Sequence, residues 1–341
     1  MKNKIIISDV TLRDGNHAVN HSIDLNIIKD HCFVCEKANI DIVEVGHGNG
    51  LGASSLSIGR SRVEDKLLFN TARKILKKTK LSIHSIPGFS KISDLNMAID
   101  MGVDIFRIGC NATEIDTAKK QISICKKRKV EVWGVLMMFH LVLEKEKYLE
   151  KIKFLIDQGV DAIVIMDSAG CLTTKSIKTI FAKIKSKYKK IRLGFHAHNN
   201  LGLAISNSIQ SLDSGAEILD ASIRGLGAGA GNAQLEILIT LLQKTNKKSE
   251  INLDLLYSHA SNFPRYFKKN NLYKNPFSNP ENIMSANYGL FSGFASKVDY
   301  FCDIYKLNKI KAFEEIAKKK LVAGQEDLIM NILHNLNKSK K

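Results

Sequence analysis

The sequence predicts a (β/α)8 barrel followed by a smaller helical unit. Short β-branched runs recur at a nearly constant interval over about the first 225 residues, and an amphipathic stretch follows each run. Polar motifs come directly after most of these runs, as expected where strand ends form an active site. A doubly wound open sheet is the alternative. Such a sheet usually carries a Gly-rich phosphate turn after its first strand, whereas this chain reads TLRDGNHA there.

The predicted elements alternate regularly along the chain. Gly102, Gly159 and Gly215 stand where C-terminal helix caps are expected, shortly before the next strand. The expected strands are residues 4–8, 41–45, 81–86, 104–108, 130–137, 161–166, 191–196 and 217–223. The expected helices between them are residues 24–38, 65–78, 93–101, 116–127, 145–158, 174–187 and 203–214.

The alternation stops near Thr245, and only helical patterns follow. An Asn/Pro-rich stretch, KNNLYKNPFSNPEN, interrupts them. We therefore predict a catalytic barrel domain over residues 1–262 and a helical domain over residues 263–341. Helical patterns after the barrel strands cover residues 253–266, 282–307, 309–317 and 325–336.

Composition favours a globular cytoplasmic protein. The chain has 341 residues, of which 44% are hydrophobic and 25% charged, as in ordinary folded domains. The apolar run at the N-terminus is too short for a signal peptide, and no run approaches the length of a membrane span. The net charge of +17 comes from lysines spread along the predicted outer helices, so we expect no nucleic-acid partner.

The six cysteines are scattered, which is typical of reduced thiols in a cytosolic enzyme. Cys32 and Cys35 form a C-x-x-C pair, but they lie within a helical pattern and no second pair accompanies them. We interpret them as helix-packing residues rather than as a redox or zinc site.

The motif around the seventh strand, IRLGFHAHNNLGLA, points to a metal centre. His196 and His198 are two residues apart, so in a strand both side chains face the same side. Two hydrogen-bonding histidines without an ion are the alternative. Asp14, after the first strand, supplies a carboxylate at the same barrel mouth and completes a set of two histidines and one carboxylate. Such a set suits Mn, Mg, Co, Zn or Fe(II).

Neighbouring residues of the first motif have the chemistry of a catalytic apparatus. Arg13 provides a fixed positive charge for a developing oxyanion, although an Arg13–Asp14 surface ion pair is the simpler alternative. His17 titrates near neutral pH and is the candidate acid or base. The run GLGAGAGN lacks the Lys-Ser/Thr of a phosphate-binding loop. We interpret it as a tight loop that brings backbone close to the site, with Asn232 as an oxygen ligand that binds the metal either directly or from outside its first coordination shell.

Together, TLRDGNHA, VEVGHGNGLGASS, LMMFH, MDSAG, HAHNNLGLAISNS, GLGAGAGNAQLE and GQEDLI resemble the 4-hydroxy-2-oxovalerate aldolases, within the HMG-CoA lyase and isopropylmalate synthase superfamily. The resemblance implies a TIM barrel with a helical communication domain. It also implies a divalent metal, usually Mn²⁺, with Mg²⁺, Co²⁺ or Zn²⁺ as alternatives. The implied reaction cleaves 4-hydroxy-2-oxopentanoate to pyruvate and acetaldehyde, a step of aromatic hydrocarbon catabolism. The implied partner is an acylating acetaldehyde dehydrogenase, in a homo- or hetero-oligomer.

The resemblance also assigns roles to residues of this chain. Asp14, His196 and His198 hold the metal, and Arg13 stabilises the pyruvate enolate. His17 takes the proton of the C4 hydroxyl. Substrate contacts are assigned to Arg13, His196 and Ser168, and the turn at residues 46–48 shapes the pocket.

The chain departs from this family at one functional position. The family has a tyrosine in a V-Y-S-S stretch, whereas this chain reads LFSG and places Phe291 there. Tyr288 is the candidate replacement, with water as the alternative. A Claisen-type acyl-CoA lyase or synthase is the second enzymatic hypothesis, although the glycine loop lacks the cysteine of such lyases. A non-catalytic scaffold barrel is the third hypothesis, against which the intact motifs argue.

Overall fold

Eight parallel strands close into a barrel in the computed structural model, which describes residues 5–247, 250–270 and 276–338 and leaves out the side chains of residues 268–270. Each strand pairs with the next along the chain, and the eighth pairs with the first. This closure confirms the predicted barrel and excludes the open sheet. The strands are β1 (Ile6–Asp9), β2 (Ile42–Val45), β3 (Lys80–Ser85), β4 (Ile105–Asn111), β5 (Glu131–Met137), β6 (Ala162–Asp167), β7 (Arg192–Ala197) and β8 (Ile218–Ala221).

The helices of the barrel follow the predicted pattern. The Asp24 carboxylate accepts hydrogen bonds from two backbone N–H groups at the start of the second helix, and the Thr173 hydroxyl caps the seventh in the same way. The helices are α1 (Gly15–Ala18), α2 (Leu25–Lys37), α3 (Asp65–Ile75), α4 (Ile92–Asp100), α5 (Lys119–Lys127), α6 (Tyr148–Asp157), α7 (Thr174–Lys187), α8 (Ala204–Asp213) and α9 (Leu235–Lys244).

The barrel interior changes from apolar to charged along its axis. Alternate residues of each strand face inward, so a few positions decide what each layer contains. Trp133 packs in an apolar cluster that includes Ile42, Ile105 and Ile218, which lie where their strands begin. Above them, Glu44, Arg107 and Asp220 form a buried charged layer. The open end beyond this layer holds the candidate site.

Helix α10 (Leu253–Asn262) packs against α2 and α9. The predicted helix over residues 253–266 ends earlier than expected because Pro264 has no N–H to continue the helical hydrogen bonds. A 3₁₀ turn continues from Phe263, whose ring is buried in the core of the barrel.

The C-terminal unit contains helices α11 (Pro280–Asn287), α12 (Ala295–Tyr305), α13 (Lys309–Lys318) and α14 (Glu326–Lys338). The predicted continuous helix over 282–307 is wrong, because Gly289 adopts a positive φ of 64° and ends the first helix. The C-terminal unit has its own apolar cluster, which includes Phe294 and Phe313. The Asn/Pro-rich stretch lies partly outside the described residues. Among the helices that the structure describes, none is long and apolar enough to cross a membrane.

Candidate active site

Three ligand-type side chains meet where β1 and β7 end. The Asp14 Oδ2 atom lies 3.3 Å from Nε2 of His196 and 3.9 Å from Nε2 of His198. All three residues are buried, and one ligand atom from each lies within 4.8 Å of the others. The strand spacing that places the two histidines on one side therefore brings them to the predicted carboxylate.

Protein contacts hold the Asp14 carboxylate in its ionised form. Its Oδ1 atom accepts a hydrogen bond of 3.1 Å from the backbone N–H of Ala228 in the glycine loop. Its Oδ2 atom accepts one of 2.7 Å from Arg13. Burial alone raises the pKa of Asp14, but the Arg13 charge and the two histidines outweigh this and hold the pKa well below its usual range.

His196 lies between two carboxylates, and its hydrogen bonding suits a metal ligand. Its Nδ1 lies 2.9 Å from the buried Asp220 carboxylate, which can accept a hydrogen bond from an Nδ1–H group; in that tautomer Nε2 carries the lone pair. That Nε2 atom is buried without a hydrogen-bond partner among the described residues and faces the Asp14 carboxylate. Burial lowers the pKa of His196, but Asp14 and Asp220 outweigh this and raise it, so positive charge is favoured between the two carboxylates. A proton on Nε2 can supply that charge, and the donor set also fits a divalent metal.

Arg13 is fixed by several acceptors and keeps one nitrogen available. Its Nε donates to Glu44 over 2.6 Å, and its Nη1 contacts Asp14 and the carbonyl of Gly48. The Nη2 group has no hydrogen-bond partner in the described part of the chain. A buried guanidinium with one unused donor can bind a negatively charged oxygen of a substrate.

Sequence reasoning missed the charged layer that supports the site. Arg107 forms an ion pair of 3.0 Å with Glu44 and a second with Asp220. It thereby links the residue that holds Arg13 to the residue that orients His196. The signal that could have revealed it is the presence of charged side chains at inward-facing positions of otherwise apolar strands.

His17 lies against the loop after β2. A Cβ atom added to Gly48 would lie 2.5 Å from His17 Nε2, so the ring occupies space that only glycine leaves open. The His17 ring is 5.3 Å from that of His21, which stacks on His47 at 3.7 Å. Burial has the largest effect on the pKa of His17 and lowers it, although Asp14 opposes this change. The imidazole is therefore neutral at pH 7 and able to accept a proton.

Asn232 reaches the site from the glycine loop. Its Nδ2 donates to the carbonyl of Leu226 over 2.9 Å, which turns the side-chain oxygen away from that bond. This oxygen is buried and has no hydrogen-bond partner among the described residues. The backbone of Asn232 also bridges to His198. The loop approaches the metal-ligand set as the glycine-rich sequence suggested.

Ser168 and Tyr288 occupy different surroundings. The Ser168 hydroxyl accepts a hydrogen bond of 3.0 Å from the N–H of Met138, and its carbonyl accepts two from Ser292 of the C-terminal unit. Tyr288 packs against the apolar cluster of the C-terminal helices. The ring that faces His17 is that of Phe291, with 6.4 Å between ring centroids. The structure thus brings Phe291 to the imidazole.

Comparison with known proteins identifies the family. Residues 4–262 match the HMGL-like family, and residues 276–338 match the DmpG-like communication domain. The chain is 40% identical over 333 residues to a 4-hydroxy-2-oxovalerate aldolase of Spirochaeta aurantia, covering 97% of this chain and 96% of that protein. It is 38% identical to an enzyme of the same name from Burkholderia pseudomallei, covering 96% and 92% of the two chains.

A solved structure supports the same relationship. The N-terminal domain of a provisionally identified aldolase from Bacteroides vulgatus superposes with a TM-score of 0.75 at 28% identity, covering 87% of this chain and 97% of that chain. The matches to the family and to its named members extend over the barrel and the C-terminal helices alike. The chain therefore belongs to the HMGL-like family and carries a DmpG-like communication domain.

Proposed function

We propose that this protein is a divalent-metal-dependent aldolase that cleaves 4-hydroxy-2-oxopentanoate, or a related 4-hydroxy-2-keto acid, to pyruvate and an aldehyde. The observation that carries the proposal is the buried Asp14, His196 and His198 set beside the unused donor of Arg13. The similarity to 4-hydroxy-2-oxovalerate aldolases over nearly the whole chain supports the same reaction.

We assign the metal to Asp14, His196 and His198, with Asn232 as an additional oxygen donor. When bound, a divalent ion supplies Lewis-acid polarisation of the substrate's keto group. Mn²⁺ is our first choice because carboxylate and imidazole ligands with open positions suit it; Mg²⁺, Co²⁺ and Zn²⁺ are alternatives.

The protein side chains would perform the remaining steps. His17 accepts the proton of the C4 hydroxyl, and the C3–C4 bond breaks to give the aldehyde. The electron pair of that bond becomes the pyruvate enolate, whose oxygen accepts a hydrogen bond from Nη2 of Arg13. Transfer of one proton to C3, which balances the proton that His17 takes up, then gives pyruvate. Ser168 retains a hydroxyl proton with which to contact the substrate carboxylate.

We further propose that the two parts of the chain divide at residue 262, with a catalytic barrel before it and a communication domain after it. The DmpG-like match supports an acylating acetaldehyde dehydrogenase as the partner that receives the aldehyde. Six free cysteines, five of them buried, support a cytoplasmic location.

The test is pyruvate release from 4-hydroxy-2-oxopentanoate by chelator-treated protein, coupled to lactate dehydrogenase, with and without added Mn²⁺. We expect release only with the ion, and none from His198→Ala. A metal-loaded protein that releases no pyruvate contradicts the proposed reaction, and assays with acyl-CoA substrates would then address the Claisen alternative. Absence of any bound metal would instead favour the hypothesis of a non-catalytic scaffold barrel.

The role of Tyr288 is tested separately. We propose that its phenol assists the proton transfer in place of the tyrosine that Phe291 replaces. Tyr288→Phe is then expected to lower kcat, whereas Tyr305→Phe, in the same helical unit, leaves it unchanged. Equal turnover of Tyr288→Phe and the natural protein would remove Tyr288 from the mechanism.

A further inference from the structure

A second cluster of ligand-type side chains lies outside the barrel, between β1, α2 and α10. Asp9 ends β1 and turns its carboxylate outward, toward His31 and Cys35 of α2. His31 and Cys35 are four residues apart and share one face of that helix. All three side chains are completely buried. The proposed aldolase mechanism uses none of them.

The spacing of the three donor atoms matches a metal site. Asp9 Oδ2 lies 3.1 Å from His31 Nε2 and 3.6 Å from Cys35 Sγ, and the last two atoms are 3.4 Å apart. For tetrahedral coordination with metal–nitrogen and metal–oxygen bonds of about 2.0 Å and a metal–sulfur bond of about 2.3 Å, ligand atoms are roughly 3.3 to 3.6 Å apart. The three measured distances are therefore close to those expected between ligand atoms of one metal ion.

The surroundings of His31 resemble those of a metal-bound imidazole. Its Nδ1 lies 2.9 Å from Nε2 of His259 on α10, so the ring is held from the side opposite the cluster. Metal-ligating histidines are generally fixed by such a hydrogen bond from the other ring nitrogen. The rings of His259 and Phe263 then close the cluster from solvent.

Charge balance favours a divalent ion at this position. A carboxylate from Asp9 and a thiolate from Cys35 carry two negative charges, which a divalent cation neutralises within a buried region. In the ion's absence, burial and the Asp9 charge raise the pKa of the Cys35 thiol well above its usual range, and its S–H donates to the carboxylate. Binding would release this thiol proton.

We propose that Asp9, His31 and Cys35 form a second metal site, for Zn²⁺ or a chemically similar ion, distinct from the site at Asp14. The Cys35 thiolate selects a softer ion than the active site requires, because the active-site ligands are one carboxylate and two imidazoles. Because the cluster is closed to solvent, the ion enters as the chain folds. Asp9 also accepts the N–H of Thr11, so the bound ion would anchor the start of the catalytic loop.

The experiment separates the two sites by disabling the first. The chain carrying Asp14→Asn and His198→Ala is produced in zinc-supplemented medium, passed through chelator, and its metal content is measured by mass spectrometry. We expect one zinc ion per chain to remain. Adding Cys35→Ser should lower the content by at least about tenfold, whereas Cys125→Ser, at another buried thiol, should leave it unchanged.

A spectroscopic measurement keeps the proposal testable if Cys35→Ser fails to fold. The same double variant, produced with Co²⁺ in place of zinc, leaves every residue of the second site unaltered. We expect a thiolate-to-cobalt charge-transfer absorption in the near ultraviolet. Protein without that absorption, zinc content near zero in the double variant, or full zinc content after Cys35→Ser would each overturn the second site.

Discussion

At the scale of single residues, the proposed role of His17 as the base leads to an expected pH dependence of activity. Burial lowers the pKa of the imidazole below its ordinary value of 6.5. A base is competent only when deprotonated, so the lowered pKa keeps His17 competent as the pH falls. If His17 is the base that we propose, activity is lost only when the pH falls through the pKa of His17 in the folded protein.

We therefore expect the acid limb of the kcat/KM profile to lie below pH 6.5. The measurement is the pH dependence of pyruvate release at saturating metal. His17→Ala should lower kcat by about 10² to 10⁴ and remove this limb, because the accepting group is gone. An acid limb at or above pH 6.5 would show that another group controls the proton step.

A second expectation at this scale concerns Gly48. Its backbone conformation does not require glycine, but a larger side chain would overlap the His17 ring. In Gly48→Ala the new Cβ would meet the His17 ring at 2.5 to 2.6 Å and force it to move. We expect kcat to fall by about 10²-fold, as for a displacement of about 1 Å. Metal content and melting temperature should stay near those of the natural protein. Loss of the metal instead would show that the loop acts on the ligands.

Residue types alone revealed much of the site. The H-x-H spacing and the TLRDG motif predicted which side chains meet, because strand periodicity and barrel topology bring them to one mouth. The contact of Cys35 with Asp9 was not predictable, since the C-x-x-C pair in a helical pattern favours simple packing. That contact depends on how α2 is rotated against β1, which local sequence periodicity does not specify.

At the scale of secondary structure elements, four strands depend on a shared ionic layer. Arg107 on β4 joins Glu44 on β2 to Asp220 on β8, and Asp220 in turn orients His196 on β7. The apolar runs predicted these strands but not this layer, because a charged side chain inside a barrel is explained only by its partners on other strands. Local sequence periodicity does not indicate which side chains of distant strands will contact each other.

Arg107→Met should destabilise the protein by about 3 to 5 kcal/mol, because two buried carboxylates lose their common partner. Urea denaturation measures the free energy of unfolding. Arg128→Met is the matched control. That arginine pairs with Asp100 on the surface, where both side chains are at least 41% exposed, and its loss should cost less than about 1 kcal/mol. Similar losses for the two variants would contradict a structural role for the layer.

At the scale of the whole molecule, the barrel and the C-terminal unit together form the site. Ser292 donates to the carbonyl of Ser168 through both its N–H and its hydroxyl, and Asn200 donates to that hydroxyl. This connection holds the neighbouring Phe291 against His17. The sequence predicted two units and most of their helices. It did not predict the turn at residues 288–294, through which the C-terminal unit contacts the barrel, because the helical pattern over residues 282–307 runs through it.

Phe291→Tyr would place a phenol on the ring that faces His17. We expect kcat to rise by about tenfold, because the hydroxyl provides an additional group for proton transfer. Phe277→Tyr, on an exposed ring of the same unit, is the control and should have no effect. Unchanged or lower turnover in Phe291→Tyr would show that proton transfer at His17 does not limit the reaction.

The hydrogen bonds between Ser292 and Ser168 also restrict how this protein can be recombined with its relatives. A chimaera that joined this barrel to another protein's terminal helices would exchange the side chain against His17 along with the helices. The ring that faces His17 and the outer surface of the terminal helices would then change together. Redesign of one without the other requires that residues 288–294 be inherited with the barrel.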